Sequence, residues 1–387
     1  MLRGQREFHI DIPYSLVEER LLRLDAWVNL EEFDRVPVIS GLAPRYWLRR
    51  IGLSHMDFWS TPENMLWGEV MGYKWMLENI PDDHCEPIFG VTFGNVYEAS
   101  GLGCEVIFKE GFPWVKEPII HGPRDLEKLE DIRMWEYGCT GKFIPYYKEM
   151  EKLAADVELV YSDNVSKELV VSKPIPGSEG PITNAGWLMG SHRLFTYMVR
   201  DPDFVHSLLE IITEKVIELY RYLSVELESS TSYIGFRDDL AAYLSPKLYR
   251  KFALPYHLEY FEKLHVKRRR LHMCGKIDHL IPLLVEEENI EMLPGFGYQT
   301  SVELLEKYMA GKVILAGGPN PMLFELCENE RIEAYSRYYI KHLAPYGGYL
   351  LQDGFNIPPA SDPASISHMS RIAYTYGRYP QKRMGII

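Results

Sequence analysis

Short apolar runs of strand length alternate along the chain with longer segments whose apolar residues recur every three or four positions. The runs are RVPVISG (35–41), EPIFGVTFGN (86–95), ELVVSKPIPG (168–177), TSYIGFRDD (231–239), RRRLHMCG (268–275), NIEMLPGF (289–296), KVILAGGPNP (312–321) and GYLLQDGF (348–355). Most end in Gly, Pro, Asn or Asp, as strands emerging into loops do. Segments such as 201–227 and 246–265 lie between them and have the period of amphipathic helices. Eight strands alternating with helices predict a parallel sheet, and eight is the number that closes a (β/α)8 TIM barrel. The patterns at about 15–33 and about 60–80 predict further helices that cap one barrel end or build its rim. The expected organisation is therefore an N-terminal helical extension over 1–33 and a barrel catalytic domain over 34–387.

Composition narrows the class of function. The 387 residues carry 42 Lys+Arg against 55 Asp+Glu, a net charge of −13, which argues against nucleic acid or an anionic membrane as the main partner. Five cysteines at irregular spacing give no disulfide framework and suit a reducing compartment. The N-terminal stretch MLRGQREFHIDIPYS has no apolar signal region, and no run approaches the length needed to span a bilayer, so a cytoplasmic enzyme is expected. Aromatic residues reach 13%, with 26 Tyr and 8 Trp, enough rings to fill a core or line a pocket.

In a barrel, chemistry gathers at the C-terminal ends of the strands. That rule selects Asn95, Pro176, Asp238, Asp239, His272, Cys274, Phe296, Asn320, Asp353 and Asn356. The sharpest signal is Leu271-His272-Met273-Cys274-Gly275, because residues i and i+2 of a strand share a face. His272 and Cys274 can thus offer imidazole and thiolate to one point, a donor pair suited to zinc. A third ligand must come from elsewhere, and Asp239, Asp353 and Asn356 are the candidates. The paired carboxylates Asp238 and Asp239 suit a metal or a substrate, or else a helix cap with a salt bridge to Arg237. The Gly317-Gly318 pair permits a tight turn or a close approach to a ligand. The basic run Lys267 to Arg270 reads as a solvated rim at the barrel end opposite the site.

At His272-Met273-Cys274-Gly275 the sequence resembles the uroporphyrinogen decarboxylase superfamily, and within it the cobalamin-dependent methyltransferase branch. Asp34 to Val38, Tyr97-Glu98-Ala99, Gly101-Leu102-Gly103 and Asp125 to Leu129 support the resemblance, as do Asp201-Pro202, Asp238-Asp239, Leu244-Ser245-Pro246 and Pro255-Tyr256. Gly317 to Pro321 and Gly354 to Pro358 are similar to the family's last two strand loops, so the likeness covers about residues 30–380. It implies a (β/α)8 barrel with its site at the C-terminal mouth. The decarboxylases of the family place an Asp at the end of the second strand, where this chain has Asn95, and an amide cannot stabilise pyrrole cations. Their Arg-bearing segment after the first strand is also absent: Arg45 is nearby, but 41–46 does not match, and no carboxylate-binding arginines are identified at the mouth. The methyltransferase branch holds zinc on His-x-Cys and a further Cys in the last-strand loop. His272 and Cys274 match the first two, and the third position falls on Phe355.

The resemblance implies a corrinoid-dependent methyltransferase, moving a methyl group between a small methylated substrate and the cobalt of a separate corrinoid protein; the wealth of Tyr and Trp suggests an aryl methyl ether as the donor. Zinc would sit on His272 and Cys274, and cobalamin would be supplied by the corrinoid partner. Asp239, Asn95 and His272 are the candidate catalytic residues, and Tyr46, Asp238, Phe296, Phe355 and Asn356 the candidate substrate contacts. The alternatives are a uroporphyrinogen-decarboxylase-like decarboxylase or a non-catalytic corrinoid-handling protein.

Overall fold

A computed structural model describes residues 6–85 and 87–380. Residues 1–5, Glu86 of the second apolar run and residues 381–387 at the end of the expected catalytic domain lie outside the described residues, as does the start of the stretch read for a secretion signal. The fold is α/β and rich in helix. Its strands are β1 (Glu7–Ile10), β2 (Val106–Lys109), β3 (Phe112–Val115), β4 (Glu158–Tyr161), β5 (Ser166–Glu168), β6 (Phe236–Arg237), β7 (Leu271–His272), β8 (Met292–Pro294), β9 (Ile314–Gly317) and β10 (Tyr349–Leu351).

All eight apolar runs take part in parallel pairing. β6 pairs with β7, β8 with β9 and β9 with β10. Single bridges extend the series from Ser178 to Phe236, from Arg270 to Met292, from Leu351 to Val38 and from Phe89 to Val171. The first run meets the segment just ahead of the second at Asp82 and Asp83. The Asp83 N–H donates to the Val38 carbonyl at 2.7 Å, and the Asp82 carboxylate accepts the Ser40 N–H at 2.9 Å. Fully buried Asp83 also takes Arg23 (2.6 Å) and Arg35 (2.8 Å), which fastens the helix Tyr14–Val28 to the start of the first run. A buried carboxylate persists because paired guanidinium groups replace the water it loses.

Side-chain alternation sorts the strands into two faces. Phe236 of β6 lies against the helix Leu254–Lys263, with ring centroids 4.5–4.7 Å from His257, Tyr260 and Phe261. Leu271 and Met273 are fully buried on the same side. The period of two therefore turns Arg237, His272 and Cys274 to the other face, away from the helices.

The helices expected near 15–33 and 60–80 are Tyr14–Val28 and Pro62–Asn79. The single helix expected over 246–265 is two, Pro246–Phe252 and Leu254–Lys263, broken at Ala253. Pro255 has no N–H to donate back to the preceding turn, which accounts for the break. The parallel pair β1–β4, the antiparallel pair β4–β5 and the hairpin β2–β3 were not foreseen. No helix among the described residues is long and apolar enough to cross a membrane.

Candidate metal centre

Three side chains from two neighbouring strands converge beyond β6 and β7. One ligand atom each of Asp239, His272 and Cys274 lies within 4.8 Å of the others. Arg237 and His272 are register partners, so residues two further along each strand, Asp239 and Cys274, also meet. The Cys274 N–H donates to Asp239 Oδ1 at 2.8 Å, which locks the carboxylate to the opposite strand. His272 Nε2 stands 3.5 Å from the same oxygen.

The imidazole is set for a ligand by its other nitrogen. Nδ1 donates to the Pro294 carbonyl at 2.5 Å; a carbonyl only accepts, so the proton sits on Nδ1 and the Nε2 lone pair is free. That Nε2 is buried and has no hydrogen-bond partner among the described residues. Burial, helped by the charges of Arg237 and Arg270, outweighs Asp239 and the Pro294 carbonyl and holds the imidazole below its ordinary pKa, in the neutral, ligating form. Burial, reinforced by Asp239, pushes the Cys274 thiol up to about 12, so it ionises only when a cation takes its proton's place. An unpartnered buried nitrogen, a thiol and a carboxylate fit a zinc ion with three protein ligands and a fourth position open.

The packing around His272 is specific. Its ring lies 4.1 Å from that of Phe355, whose φ of +85° is a left-handed conformation that a bulky side chain rarely adopts. Gly295 has φ +79°, and a Cβ there would sit 2.3 Å from His272 Cε1. Glycine is required at that position both by the backbone and by the imidazole.

The remaining expected residues lie in other surroundings. Asp353, a candidate third ligand, is fully buried and accepts the Gly41 N–H at 2.6 Å; burial pushes its carboxyl up to about 6. Asn356 offers its carbonyl to Arg45 at 3.2 Å. Phe355 stands against His272 where the resemblance implied a sulfur, and an Asp239 oxygen lies within reach of His272 and Cys274 as a possible third donor. Tyr46, expected at the substrate, is fully buried and donates to the Ser361 carbonyl at 3.1 Å. Phe296 is fully buried beneath Gly317 and beside Tyr339. Asn95 is exposed, in the turn ahead of the helix Tyr97–Gly101. Among the described residues Asn320 holds its own turn, accepting the Met322 N–H at 3.0 Å.

Asp238 faces the helices rather than the interior. It accepts the N–H groups of Ile182 (3.2 Å) and Thr183 (2.8 Å) at the start of the helix Pro181–Met189, and pairs with His257 at 2.9 Å. It is therefore a cap, as the alternative reading held, but it caps a helix from another run. The expected partner of Arg237 is corrected too: its guanidinium pairs with Glu179 at 2.9 Å and donates to the Gly177 carbonyl at 2.9 Å. Burial, against the pull of Arg237 and with the push of Glu98 and Asp239, raises the Glu179 carboxyl to about 8.

Two residues escaped the sequence reading. Glu179 lies just past the Gly177 that marked the end of the third run. Arg270 is exposed, as a solvated rim would have it, but it stands two positions before His272 and shares its face. The alternation that joined His272 to Cys274 contained that signal.

The chain matches the family profile described as uroporphyrinogen decarboxylase (URO-D) over residues 19–376. It is 23% identical over 286 residues to the uroporphyrinogen decarboxylase of Chlorobaculum tepidum, covering 70% of this chain and 74% of that protein. It is 25% identical over 150 residues to the methylcobamide:CoM methyltransferase MtaA of Methanosarcina barkeri, covering 35% of this chain and 43% of that protein. A solved structure of a methyltransferase from Methanosarcina mazei superposes with a TM-score of 0.65 at 19% identity, over 92% of this chain and 98% of the other. Both methyltransferases are consistent with that branch of the superfamily. With its profile matched from residue 19 to residue 376, the chain belongs to the uroporphyrinogen decarboxylase family.

Proposed function

We propose that the chain is a corrinoid-dependent methyltransferase built on a (β/α)8 barrel, with a zinc ion on Asp239, His272 and Cys274. The observation that supports this most is the three-donor cluster around the buried, unpartnered Nε2 of His272. A decarboxylase that stabilises pyrrole cations needs a carboxylate and no metal, and Asn95 stands at the position where the family's decarboxylases keep it. A non-catalytic corrinoid-handling protein has no need of such a centre.

Zinc, when bound, supplies positive charge at its open position for the oxygen that loses the methyl group. The protein supplies the rest. The Pro294 carbonyl fixes the His272 tautomer, the Cys274 N–H fixes Asp239, and Phe355 shields one side of the imidazole from water. The methyl carbon leaves its oxygen, which keeps the bonding pair, and forms a bond to cobalt with the electron pair of the reduced corrinoid. A corrinoid is too large to enter a small-molecule pocket whole, so a separate protein presents it at the barrel mouth. An aryl methyl ether is the donor this reading favours.

The test is the absorbance change of a reduced corrinoid protein mixed with the zinc-loaded chain and a panel of methoxyaromatics, methylamines and methanol. Methylation of the corrinoid by at least one donor is expected. Failure of every donor, together with failure to demethylate the methylated corrinoid in reverse, would overturn the reading. Formation of coproporphyrinogen from uroporphyrinogen would replace it with the decarboxylase.

A further inference from the structure

We propose that Arg270 and Arg237 form an anion site on the interior face that carries the metal ligands, so that the methyl donor is a small molecule bearing a carboxylate. This rests on the methyl-transfer reading above and adds the chemical class of the substrate.

Arg270, His272 and Cys274 alternate with Leu271 and Met273, which are fully buried against the other face. Arg270 thus points to the same side as the imidazole. Space for it is made across the strand pair: a Cβ on Gly235 would lie 2.8–2.9 Å from Arg270 Cβ and Cγ. The Arg270 side chain is exposed to solvent and has no hydrogen bond or ion pair among the described residues.

Arg237 is 40% exposed on the same face. Its Nε and Nη2 are occupied by Glu179 and the Gly177 carbonyl, and Nη1 has no partner among the described residues. Among the described residues, Glu179 is the acid that pairs with Arg237 and none pairs with Arg270. Asp239 and Cys274 are committed to the metal and balance its charge. Two guanidinium groups therefore share the interior with less than two counter-charges. A chain with a net charge of −13 thus turns a locally cationic face towards its site.

Two like charges on one face with a single paired acid between them call for an anion. The planar fork of arginine matches a carboxylate best, because two parallel N–H···O bonds form at once. At about 3.3 Å per residue, Arg270 Cα lies roughly 7 Å below His272 Cα along the strand. A compact acid about one aromatic ring long can then hold its carboxylate at Arg270 and its methylated oxygen at the open metal position.

The experiment measures binding of benzoate, benzenesulfonate and benzyl alcohol to the zinc-loaded full chain by titration calorimetry. Benzoate is expected to bind at least about tenfold more tightly than benzyl alcohol, the worth of one charge-assisted pair. Arg270→Gln should remove most of that preference while zinc content and benzyl alcohol affinity remain; Arg270→Lys, which keeps the stem and the charge, should retain part of it. Equal affinities for benzoate and benzyl alcohol, or a preference that survives both Arg270→Gln and Arg237→Gln, would overturn the proposal. Tighter binding of benzenesulfonate than benzoate would overturn the carboxylate and leave another anion. The same donors as methoxybenzoates, offered with a reduced corrinoid protein, separate the two claims. Benzoate preference without methylation from any donor refutes the reaction alone. Methylation from neutral donors alone, with no benzoate preference, refutes the anion site alone.

Discussion

Asp238 and Asp239 are adjacent in sequence but act on opposite sides of one strand end. Asp239 meets His272 and Cys274, and its side chain is 46% exposed; Asp238 is fully buried among helix N–H groups and His257. Asp239→Ala should abolish zinc binding, read by elemental analysis, and should change the stability of the metal-free protein by no more than about 0.5 kcal/mol. Asp238→Ala should do the reverse: zinc is retained, and denaturant unfolding shows a loss of about 3 kcal/mol, because His257 is left without one of its counter-charges. Gly295→Ala should cost roughly 1–3 kcal/mol and also weaken zinc binding, since the new Cβ strains the backbone and displaces the His272 ring. At this scale the sequence revealed His272 and Cys274 through their spacing and placed Asp239 among three possible partners. It could not choose among the three, because that choice depends on register between strands, and it missed Arg270, whose neighbours in a basic run suggested a solvated surface.

The strand end of β6 and the helix Leu254–Lys263 are joined by a buried charge chain. His257 bonds Asp238 through Nε2 and Glu288 through Nδ1, both at 2.9 Å, and Glu288 also accepts from Tyr249 at 2.6 Å. Burial alone would lower the imidazole pKa, but Glu288 and Asp238 outweigh it and raise His257 to about 9. The folded value lies above the unfolded value near 6.5, so the contribution is complete below about pH 6.5 and is lost as the pH rises through 9. Urea unfolding at pH 6, 7.5 and 9 should show stability falling across that window, and His257→Gln should be less stable at pH 6 with a flatter profile. An unchanged slope in the variant would mean that His257 is neutral in the folded protein. The eight apolar runs were legible because a strand buried on one face and bounded by Gly, Pro or Asn has a recognisable period. The pairing of β1 with β4 was not, because four residues over which only Phe8 and Ile10 are buried give too short a pattern.

Across the whole molecule, parallel pairing links strands from residue 38 to residue 351 and sets the side chains of distant segments on one interior face. Arg237, Asp239, His272 and Cys274 come from two runs, and Pro294, Gly295 and Phe355 from two more, so the site exists only when the strands are assembled. The family was legible in ordered motifs from Asp34 to Pro358. The absence of the third sulfur was legible as a departure at Phe355, but the approach of Asp239 to His272 and Cys274 depends on how the strands pair. The central claim is a zinc centre with one sulfur, one imidazole nitrogen and one carboxylate oxygen. The most direct test is zinc K-edge X-ray absorption on protein purified without chelators. About one zinc per chain is expected, with a single sulfur at about 2.3 Å and nitrogen and oxygen neighbours at about 2.0–2.2 Å. Protein that retains no zinc, or a zinc shell with two or more sulfurs, would contradict it.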